Sequence, residues 1–429
     1  MNSIFSISFF CIGLFSFSLV WAAENNVVHV KPGELRAALA KAKNGSTLIV
    51  EAGTYYGQFR VNHSVTILGQ DAIFDGNGRG TVLTLNAPEI TIRNLRLVNS
   101  GLDLEGPDSC IYATSKAVSA TISNNVLNEC TFGLWIDQSN GSRITDNQIK
   151  GKLEVLSHEK GNGIHLFDST DLLVQGNHVS YTRDGLYVSA TEQSLIDSNI
   201  FEYTRYGIHY MFSYSNRLTN NMSRHNRSGY ALMESHHLHV VGNTASDNLE
   251  HGLLFRDAED SVIEDNILLN NGEGLFFFSS ADNVIRRNIV RGNAVGAKVW
   301  AGSHRNLAES NLFVGNKRQI FYVSTRDLHW GLEPGETDDE RMATLLKLGD
   351  GRGNFWGDYL GWDQDADGVG DRPYRVDSLA SNLAYRFPAV RFLMRSPVME
   401  LLSHLQERMP VLQVPTLIDR RPLMNLEGQ

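Results

Sequence analysis

Imidazole and thioether side chains recur at matching positions of a repeated strand pattern. His209 and Met211 lie two residues apart on one strand, so both point to the same side of it. Met233 holds the position of Met211 one repeat later, and His165 holds that of His209 two repeats earlier. Because soft sulfur ligands favour Cu(I) over hard cations, this set predicts a copper site. The alternative is a partner-binding surface with incidental histidines, or a face covered by the C-terminal tail.

Alternate aspartates closed by a glycine form a second candidate metal site near the C-terminus. The four carboxylates belong to Asp363, Asp365, Asp367 and Asp371, in a run of acidic and small residues. A tight loop that gathers carboxylate oxygens is the arrangement that Ca²⁺ requires. The run lacks the spaced terminal glutamate and the flanking helices of an EF-hand. A structural calcium site is therefore predicted here, with a simple Asx-turn loop as the alternative.

The histidines and methionines are positioned by a repeat of 22 or 23 residues, each copy opened by a glycine. The first and third residues after each glycine are apolar or aromatic, which is typical of a strand with one face toward a core. A fixed period of this length indicates a solenoid, and short strands without room for a helix predict a right-handed parallel β-helix with coils of about 22 residues. The recurring glycines are Gly163, Gly185, Gly207, Gly229, Gly252, Gly274 and Gly296.

Asparagine recurs with the same period and marks a turn of each coil. We predict that these side-chain amides form a hydrogen-bonded ladder along the axis of the β-helix, although asparagine also suits turns for local reasons. The series consists of Asn177, Asn199, Asn221, Asn243, Asn266, Asn288 and Asn311.

The second and fourth residues after each glycine should face outward, and many of them are aromatic. Contiguous apolar surface usually marks an interaction site. We therefore predict a partner-binding strip along the outside of the coils. Its aromatic members are Trp135, Phe167, Tyr187, Phe276, Phe278 and Trp300.

Composition and cysteine content limit the class and the compartment. The chain has 429 residues and a formal net charge of −10, which argues against a nucleic-acid partner because such proteins usually carry a basic face. Of three cysteines, Cys11 lies in an apolar N-terminal segment. Cys110 and Cys130 fall on adjacent coils. An oxidising compartment would allow a disulfide between them, although their lateral offset of about three residues leaves the reach of the bond open.

The chain divides into five segments. Residues 1–22 are predicted to be a secretory signal peptide, with an uncleaved membrane anchor as the alternative. Residues 23–50 form an N-terminal cap with a helix over 34–43, residues 51–325 the β-helix, and residues 326–382 a C-terminal cap. Residues 383–429 are predicted to be an amphipathic helical tail that lies along the solenoid or docks on a membrane surface or membrane protein. Its candidate contact residues are Phe392, Met394 and Leu401.

Several motifs together resemble the NosD family of periplasmic nitrous oxide reductase maturation proteins over nearly the full length. They are the Gly-Ile-His strand at 163–165, the Asn-Phe-Trp-Gly-Asp-Tyr block at 354–359, the aspartate loop, and Arg-Pro-Tyr at 372–374. The resemblance implies a non-catalytic periplasmic factor bound to an ABC transporter, with permease and ATPase, in the inner membrane. It further implies cooperation with a lipoprotein copper chaperone in building the copper-sulfide centre of nitrous oxide reductase. No copper ligand is transferred by these motifs.

The main rival interpretation is an enzyme on the same scaffold. A uronate epimerase or polysaccharide lyase would need a base and charge-neutralising partners in an outward groove. His165, Asp168, Arg183 and Asp184 lie close together in the repeat. The Asp-Pro-His-Asp string associated with the epimerases is missing, and the strip is more apolar than a polyuronate groove should be. Binding of neutral sugars by the exposed aromatic residues is a third, non-enzymatic interpretation.

Overall fold

A computed structural model describes residues 26–300, 302–323, 328–349, 351–376, 387, 393, 396–398, 401, 405 and 416–425. The predicted signal peptide, residues 1–22, lies outside the described residues, and so does most of the predicted tail. The chain winds through three parallel sheets, and each regular coil contributes one strand to each of them. The predicted parallel β-helix is confirmed.

The first sheet begins earlier than the sequence indicated, because Val27–Val30 pairs with Thr47–Val50 inside the predicted cap of residues 23–50. Both strands carry alternate apolar residues, so they stack as an opening rung of the solenoid. Within the described residues this sheet has 13 strands. They are Val27–Val30, Thr47–Val50, Thr66–Gly69, Thr91–Arg93, Thr121–Ser123, Arg143–Thr145, Leu173–Gln175, Leu195–Asp197, Arg217–Thr219, His239–Val241, Val262–Glu264, Val284–Arg286 and Leu307–Glu309.

The second sheet, called the glycine sheet here, contains the strands led by the recurring glycines. A Cβ atom on Gly185 would lie only 2.5 Å from the carbonyl oxygen of Gly207 in the next coil, so the close stacking of coils explains the glycine. The described residues give it 12 strands. They are Phe59–Val61, Leu83–Leu85, Ser109–Ala113, Phe132–Asp137, Ile164–Phe167, Asp184–Ser189, Tyr206–Met211, Ser228–Met233, His251–Arg256, Glu273–Phe278, Val295–Val299 and Ile320–Tyr322.

The third sheet continues past residue 325, the predicted end of the β-helix, because Phe355–Trp356 pairs with Leu312–Val314. Trp356 stacks on Phe313 with ring centroids 4.5 Å apart. Over the described part of the chain it has 13 strands. They are Gly53–Tyr56, Ala72–Asp75, Arg96–Val98, Val126–Cys130, Gln148–Gly151, His178–Ser180, Ile200–Glu202, Met222–Arg224, Thr244–Ser246, Ile267–Leu269, Ile289–Arg291, Leu312–Val314 and Phe355–Trp356.

The predicted asparagine ladder is confirmed. Each side-chain amide nitrogen donates to the amide oxygen one coil further on, as in the bond of 2.9 Å from Asn199 to Asn221 and the equal bond from Asn221 to Asn243. The ladder runs past Asn311 to Asn354, whose amide nitrogen donates to the buried carboxylate of Asp419 at 2.9 Å. Since buried amides are costly without partners, the ladder satisfies one polar row inside every coil.

Helices and a small sheet cover the two ends. The N-terminal helix, predicted over 34–43, spans Leu35–Lys41 and buries Leu35 and Leu39. At the other end lies the helix Glu340–Leu346, whose N-terminal amides donate to Asp339. In a separate small sheet, Leu417–Asp419 pairs with Leu328–Trp330 and Tyr374–Arg375.

The small sheet moves part of the predicted tail into the C-terminal cap. Residues 416–425 fall within the predicted tail, 383–429, yet Leu417 and Asp419 are fully buried against the solenoid end. Their burial is favoured because Leu417 adds to the core and Asp419 closes the asparagine ladder. Of the remaining tail, Leu393, Val398 and Leu401 are described and exposed.

Two cysteines and two insertions lie near one corner of the coils. Cys110 and Cys130 are buried and joined as a disulfide, with Cα atoms 5.6 Å apart, within the ordinary range for such a bond. The insertions at 102–108 and 152–161 both connect the third sheet to the glycine sheet. Lys152 of the second donates to the backbone oxygen of Ser100 beside the first, at 3.1 Å. A short 3₁₀ helix, Ser157–Glu159, lies in the second insertion.

Candidate functional site

The strands of the glycine sheet alternate between the core and the outside of the coil. Ile208 and Tyr210 are fully buried inside the solenoid, and His209 and Met211 alternate with them on the opposite side. We call the outward residues two and four positions after each glycine the outer strip. Its two rows are Trp135, His165, Tyr187, His209, Ala231, Leu254, Phe276 and Lys298, and Asp137, Phe167, Ser189, Met211, Met233, Arg256, Phe278 and Trp300.

One imidazole of the outer strip is held by a buried carboxylate. Asp184 Oδ2 lies 3.1 Å from Nδ1 of His209. The same carboxylate accepts hydrogen bonds from Arg205, at 2.8 Å from Nε and 2.7 Å from Nη2. Burial alone would raise the pKa of Asp184, but the bonds from His209 and Arg205 outweigh it and lower the pKa below its ordinary value. Asp184 is therefore an ionised acceptor that fixes the ring of His209.

The other nitrogen of this ring has no partner. Nε2 of His209 is buried and makes no hydrogen bond to any described residue. An ionised carboxylate at Nδ1 favours the tautomer with its proton there, which has its lone pair at Nε2. A histidine that donates one nitrogen to a carboxylate and offers the other is the usual arrangement of a metal-binding imidazole. This orphaned nitrogen fits the ligand chemistry that the sequence predicted.

Two thioethers belong to the same outer face as His209 in the register of the sheet. Met211 pairs with Met233, and His209 pairs with Ala231, across neighbouring strands. Paired strands are about 4.8 Å apart, so the four side chains form the corners of one small outer-face grid. Alanine at the fourth corner leaves room for the three longer side chains to converge. One imidazole and two thioethers are a ligand set that suits Cu(I).

The histidines are more covered than the sequence predicted. Both were expected on an open ribbon, but His165 is 9% and His209 8% exposed. The rings of neighbouring coils cover them, since the Trp135 and His165 centroids lie 3.7 Å apart and those of Tyr187 and His209 4.9 Å apart. The outer strip at this point is a layer of interleaved rings.

His165 does not join the other predicted copper ligands. It pairs with Tyr187, which in turn pairs with His209, so two strand spacings of about 4.8 Å separate the histidines. Nδ1 of His165 lies 3.2 Å from the side-chain nitrogen of Asn162. Burial lowers the pKa of His165 to about 3, so its ring is neutral. The register therefore does not place His165 beside His209, because Tyr187 stands between them.

The C-terminal half of the outer strip has a different character. Lys298 donates to Glu273 at 2.7 Å and lies over the rings of Phe276, at 4.7 Å, and Trp300, at 4.9 Å. His251 Nδ1 lies 3.1 Å from the same glutamate. Lys298 neutralises Glu273, so this half offers a packed aromatic surface with a neutralised charge pair.

The predicted partner-binding residues differ in their accessibility. Phe167 and Phe278 are exposed, at 41% and 38%. Trp135, Tyr187, Phe276 and Trp300 are partly buried within the rings just described. Leu401 of the predicted tail is 57% exposed, whereas the side chains of Phe392 and Met394 lie outside the described residues. The aromatic side chains therefore leave only isolated exposed edges along the strip.

The aspartate loop gathers three of its four predicted ligands. Oxygen atoms of Asp363, Asp365 and Asp367 lie within 4.8 Å of one another. Asp371 instead accepts a hydrogen bond of 2.7 Å from the backbone of Gln364. Asp363 also accepts backbone bonds from Asp367 and Gly368, as an Asx-type loop does. The loop thus brings together three of the four predicted carboxylates.

Sequence reasoning did not assign Arg205 to the site, and it considered Asp184 only for the rival enzyme. Arg205 lies over the ring of Tyr206 at 4.6 Å while its guanidinium bonds Asp184. A sequence signal for this contact lies at the position just before each glycine. Asp184 holds that position in one coil, and Tyr206 holds it in the next. Acidic and aromatic residues at that position indicated an outer polar row beside the strip.

The four residues of the rival enzymatic site do not form one hydrogen-bonded group. Asp184 bonds Arg205 and His209, as described. Asp168 accepts a bond of 2.6 Å from Gln138. The side chain of His165 is hydrogen-bonded to that of Asn162. No described contact joins His165 to either carboxylate as a base would be joined to its partner.

Comparison with known proteins places this arrangement in a family. The sequence profile described as periplasmic copper-binding protein (NosD) matches residues 148–361. A probable ABC transporter binding protein NosD of Pseudomonas aeruginosa is 38% identical over 390 residues, covering 87% of both chains. The chain belongs to the NosD family. A second such protein of this family, from Stutzerimonas stutzeri, is 35% identical over 391 residues, covering 87% of this chain and 86% of the relative.

The remaining similarities concern the fold. A profile described as right handed beta helix region matches residues 50–180. The Dettilon tailspike protein aligns with a TM-score of 0.50 at 13% identity, over 69% of this chain and 68% of its own. The A-module of a mannuronan C-5 epimerase from Azotobacter vinelandii aligns with a TM-score of 0.48 at 15% identity, over 72% and 89%. At 13% identity the likeness to the tailspike protein shows a shared fold and nothing of activity.

Localisation follows the family in part. NosD proteins are described as periplasmic copper-binding proteins, and this chain is a periplasmic member of that family. Among the residues that the structure describes, no helix is long and apolar enough to cross a membrane.

Proposed function

We propose that this NosD-family protein binds Cu(I) at His209, Met211 and Met233 as a non-catalytic factor for the copper-sulfide centre of nitrous oxide reductase. In this proposal it receives copper from a lipoprotein chaperone and works with an ABC transporter in the inner membrane. The observation that carries the copper step is the buried, unpartnered Nε2 of His209 beside two register-matched methionines. Copper is the cargo of the protein and passes on to a partner.

The copper step has a direct test with a built-in control. Purified protein is titrated with Cu(I) under anaerobic conditions against a competing chelator. Met211→Leu and Met233→Leu each remove a thioether but keep the size of the side chain, so we expect affinity to fall about tenfold or more. Met222→Leu is the matched control, because Met222 lies on the third sheet and is 36% exposed away from the site.

Three outcomes would contradict the proposal. Unchanged affinity in Met211→Leu and Met233→Leu would remove both thioethers from the site. Turnover of uronate polymers by the same preparation, without Cu(I) binding, would favour the polysaccharide-modifying enzyme. Binding of neutral oligosaccharides without copper would favour the carbohydrate-binding interpretation.

We assign docking on the transporter to the residues between the last two strands of the small sheet. Residues 377–415 connect Tyr374–Arg375 to Leu417–Asp419, which pair antiparallel. Thr416 donates to the backbone oxygen of Val376 at 2.7 Å, so the two ends of this segment are held together. Leu393, Val398 and Leu401 within it are exposed at 55%, 72% and 57%. Exposed apolar residues on a tethered segment support a contact with a membrane protein.

Because its ends are adjacent, the segment can be removed cleanly. We expect that replacing residues 378–414 with a short glycine-serine linker abolishes copurification with the transporter permease and ATPase from membranes. Cu(I) affinity and the thermal unfolding of the solenoid should stay the same, since the copper grid lies several coils away. Retention of the transporter by this variant would assign docking to another surface. Copurified chaperone and reductase would support the two remaining partners.

A further inference from the structure

A basic pocket lies at the C-terminal end of the solenoid, apart from the candidate copper ligands of the outer strip. It has a volume of about 510 Å³. One wall is the turn before the last strand of the glycine sheet, residues 317–320, and the other walls are residues 358–362 and 372–376 of the cap. The pocket therefore exists only where solenoid and cap meet.

The pocket is positively charged, although the protein as a whole is negatively charged. Four cations line it, Lys317, Arg318, Arg372 and Arg375, against a single carboxylate, Asp358. The formal net charge of the whole chain is −10. Lys317 and Arg375 form no ion pair with any residue that the structure describes. Uncompensated cations around a concave surface attract an anion.

The single carboxylate forms no ion pair with Lys317, Arg372 or Arg375 among the described residues. Asp358 is half-buried, and burial raises its pKa while a hydrogen bond from Tyr374, at 3.4 Å, partly opposes that effect. The guanidinium carbon of Arg372 lies over the ring of Trp362, 4.0 Å from its centroid, which orients the guanidinium without neutralising it. Planar, pre-oriented guanidinium groups together with a lysine are the usual donors for phosphate oxygens.

The rim of the pocket is apolar and open. Leu360 is 93% exposed and Trp362 is 48% exposed, beside the cations. Val376, another lining residue, leads directly into the segment 377–415, whose described leucine and valine residues are also exposed. A small soluble anion would not contact such an apolar rim. An amphiphilic anion would place its charged group on the cations and its glycerol and acyl region on the leucine and tryptophan.

We propose that this basic pocket binds the phosphate headgroup of an anionic phospholipid at the periplasmic surface of the inner membrane. Lys317, Arg372 and Arg375 contact the phosphate, and Leu360 and Trp362 enter the interface. The proposal goes beyond copper handling and beyond docking on the transporter. It gives the cap a membrane contact of its own.

Cosedimentation with vesicles tests the proposal without the transporter. The purified protein is mixed with vesicles of phosphatidylcholine alone or with phosphatidylglycerol added. We expect binding only to the vesicles with phosphatidylglycerol, and a loss of about tenfold in the double variant Lys317→Gln and Arg375→Gln. The control is Arg217→Gln with Arg291→Gln, which removes two exposed arginines from the solenoid body. Circular dichroism and Cu(I) affinity should match the wild-type protein in both variants.

Soluble competitors separate the sources of the anion. Inorganic phosphate and glycerol phosphate at millimolar concentration should displace little of the vesicle-bound protein, since neither fills the apolar rim. Binding of inorganic phosphate by calorimetry with no binding to vesicles would overturn the lipid assignment. Capture of an acidic peptide with no vesicle binding would overturn it as well, and so would equal loss in the control variant.

Discussion

The asparagine ladder and the outer strip follow the same coils, yet they treat polar groups in opposite ways. Inside, each amide from Asn125 to Asn354 donates along the axis to the next oxygen, and Asp419 accepts the last bond. Outside, the same coils carry His209 with one nitrogen paired and the other buried without a partner. Stacking therefore determines the residue type at the inner positions, whereas the outer positions are free to vary from coil to coil.

This contrast separates stability from function within one repeat. A ladder position contributes through its neighbours above and below, so every coil needs the same residue. A strip position such as Ala231, between His209 and Leu254, can differ from both neighbours without disturbing the stack. Substitutions on the two sides of the coil wall should therefore affect different measurements.

The largest effect is expected from removing one rung of the ladder. In Asn221→Ala, the backbone and side-chain nitrogens of Asn199 both lose their acceptor, now at 3.0 and 2.9 Å. An unsatisfied buried donor costs about 1 to 3 kcal/mol, so unfolding in urea should show a loss of roughly 2 to 6 kcal/mol. Gln175→Ala, at an exposed side chain, is the control and should change stability by less than about 0.5 kcal/mol. A similar loss of stability in Asn221→Ala and Gln175→Ala would contradict the special role of the inner ladder positions.

On the outer side, the positioning carboxylate should affect copper more than stability. Asp184→Asn keeps the side-chain size but weakens the hold on Nδ1 of His209. Loss of such a supporting bond typically weakens metal affinity about 10- to 100-fold, or roughly 1.4 to 2.7 kcal/mol. Anaerobic Cu(I) titration measures this, and Asp197→Asn serves as control because Asp197 bonds Gln175 and Thr219 on another face. Equal Cu(I) affinity in wild type and Asp184→Asn would show that the orientation of the His209 ring by Asp184 does not contribute to copper binding.

A smaller, pH-dependent effect is expected at the end of the ladder. Burial raises the pKa of Asp419, and hydrogen bonds from Asn354 and Trp356 only partly oppose this. The folded state then holds a proton more tightly than the unfolded state, whose aspartate titrates near 3.9. This group's contribution to the free energy of unfolding falls as pH rises from about 4 through the raised pKa.

The comparison of wild type with Asp419→Asn isolates this contribution. Urea unfolding across the acidic to neutral range should show a steeper fall of stability with pH in the wild type than in the variant. Parallel pH profiles for the two proteins would show that Asp419 titrates normally.

The smallest effect concerns the aspartate loop, whose polar groups are satisfied neither by a ladder nor by a buried partner. If Ca²⁺ binds Asp363, Asp365 and Asp367, a concentration ten times the dissociation constant should add about 1.4 kcal/mol to the free energy of unfolding. Asp365→Asn should abolish the gain, and Mg²⁺ should not reproduce it, because Mg²⁺ prefers a smaller octahedral site. No gain with Ca²⁺ would leave the loop as an Asx-turn.

Much of the fold could be predicted because its information is periodic. Gly185 and Gly207 exclude a Cβ in each coil, and Asn199 and Asn221 bond their equivalents, so the structural reason repeats in the sequence. Asn354 was missed as a rung because it follows Asn311 at a distance of 43 residues, outside the period. Asp419 was assigned to a tail because its partner Asn354 lies 65 residues away.

The candidate site was predictable only in part, because its geometry depends on contacts between coils. The outward position of His209 and Met211 followed from alternation along one strand. The burial of His209, its bond to Asp184, and the separation of His165 by Tyr187 depend on side chains of neighbouring coils. Periodicity predicts which row a residue occupies but not which neighbour its ring nitrogen meets.

The direction of the amides in the ladder has an electrostatic consequence. From Asn125 to Asn354, each amide donates one side-chain N–H to the next coil, accepts through its oxygen from the coil before, and donates its other N–H to a backbone oxygen of the preceding coil. The carbonyl groups of the amides are therefore aligned, and their dipoles add along the axis. The column thereby acquires a positive end, much as an α-helix does at its N-terminus. A hydrogen-bond acceptor is favoured at such an end, and an oxygen of Asp419 supplies one. The solenoid thus carries a polarity of its own, with the side chain of an aspartate where its field is most positive.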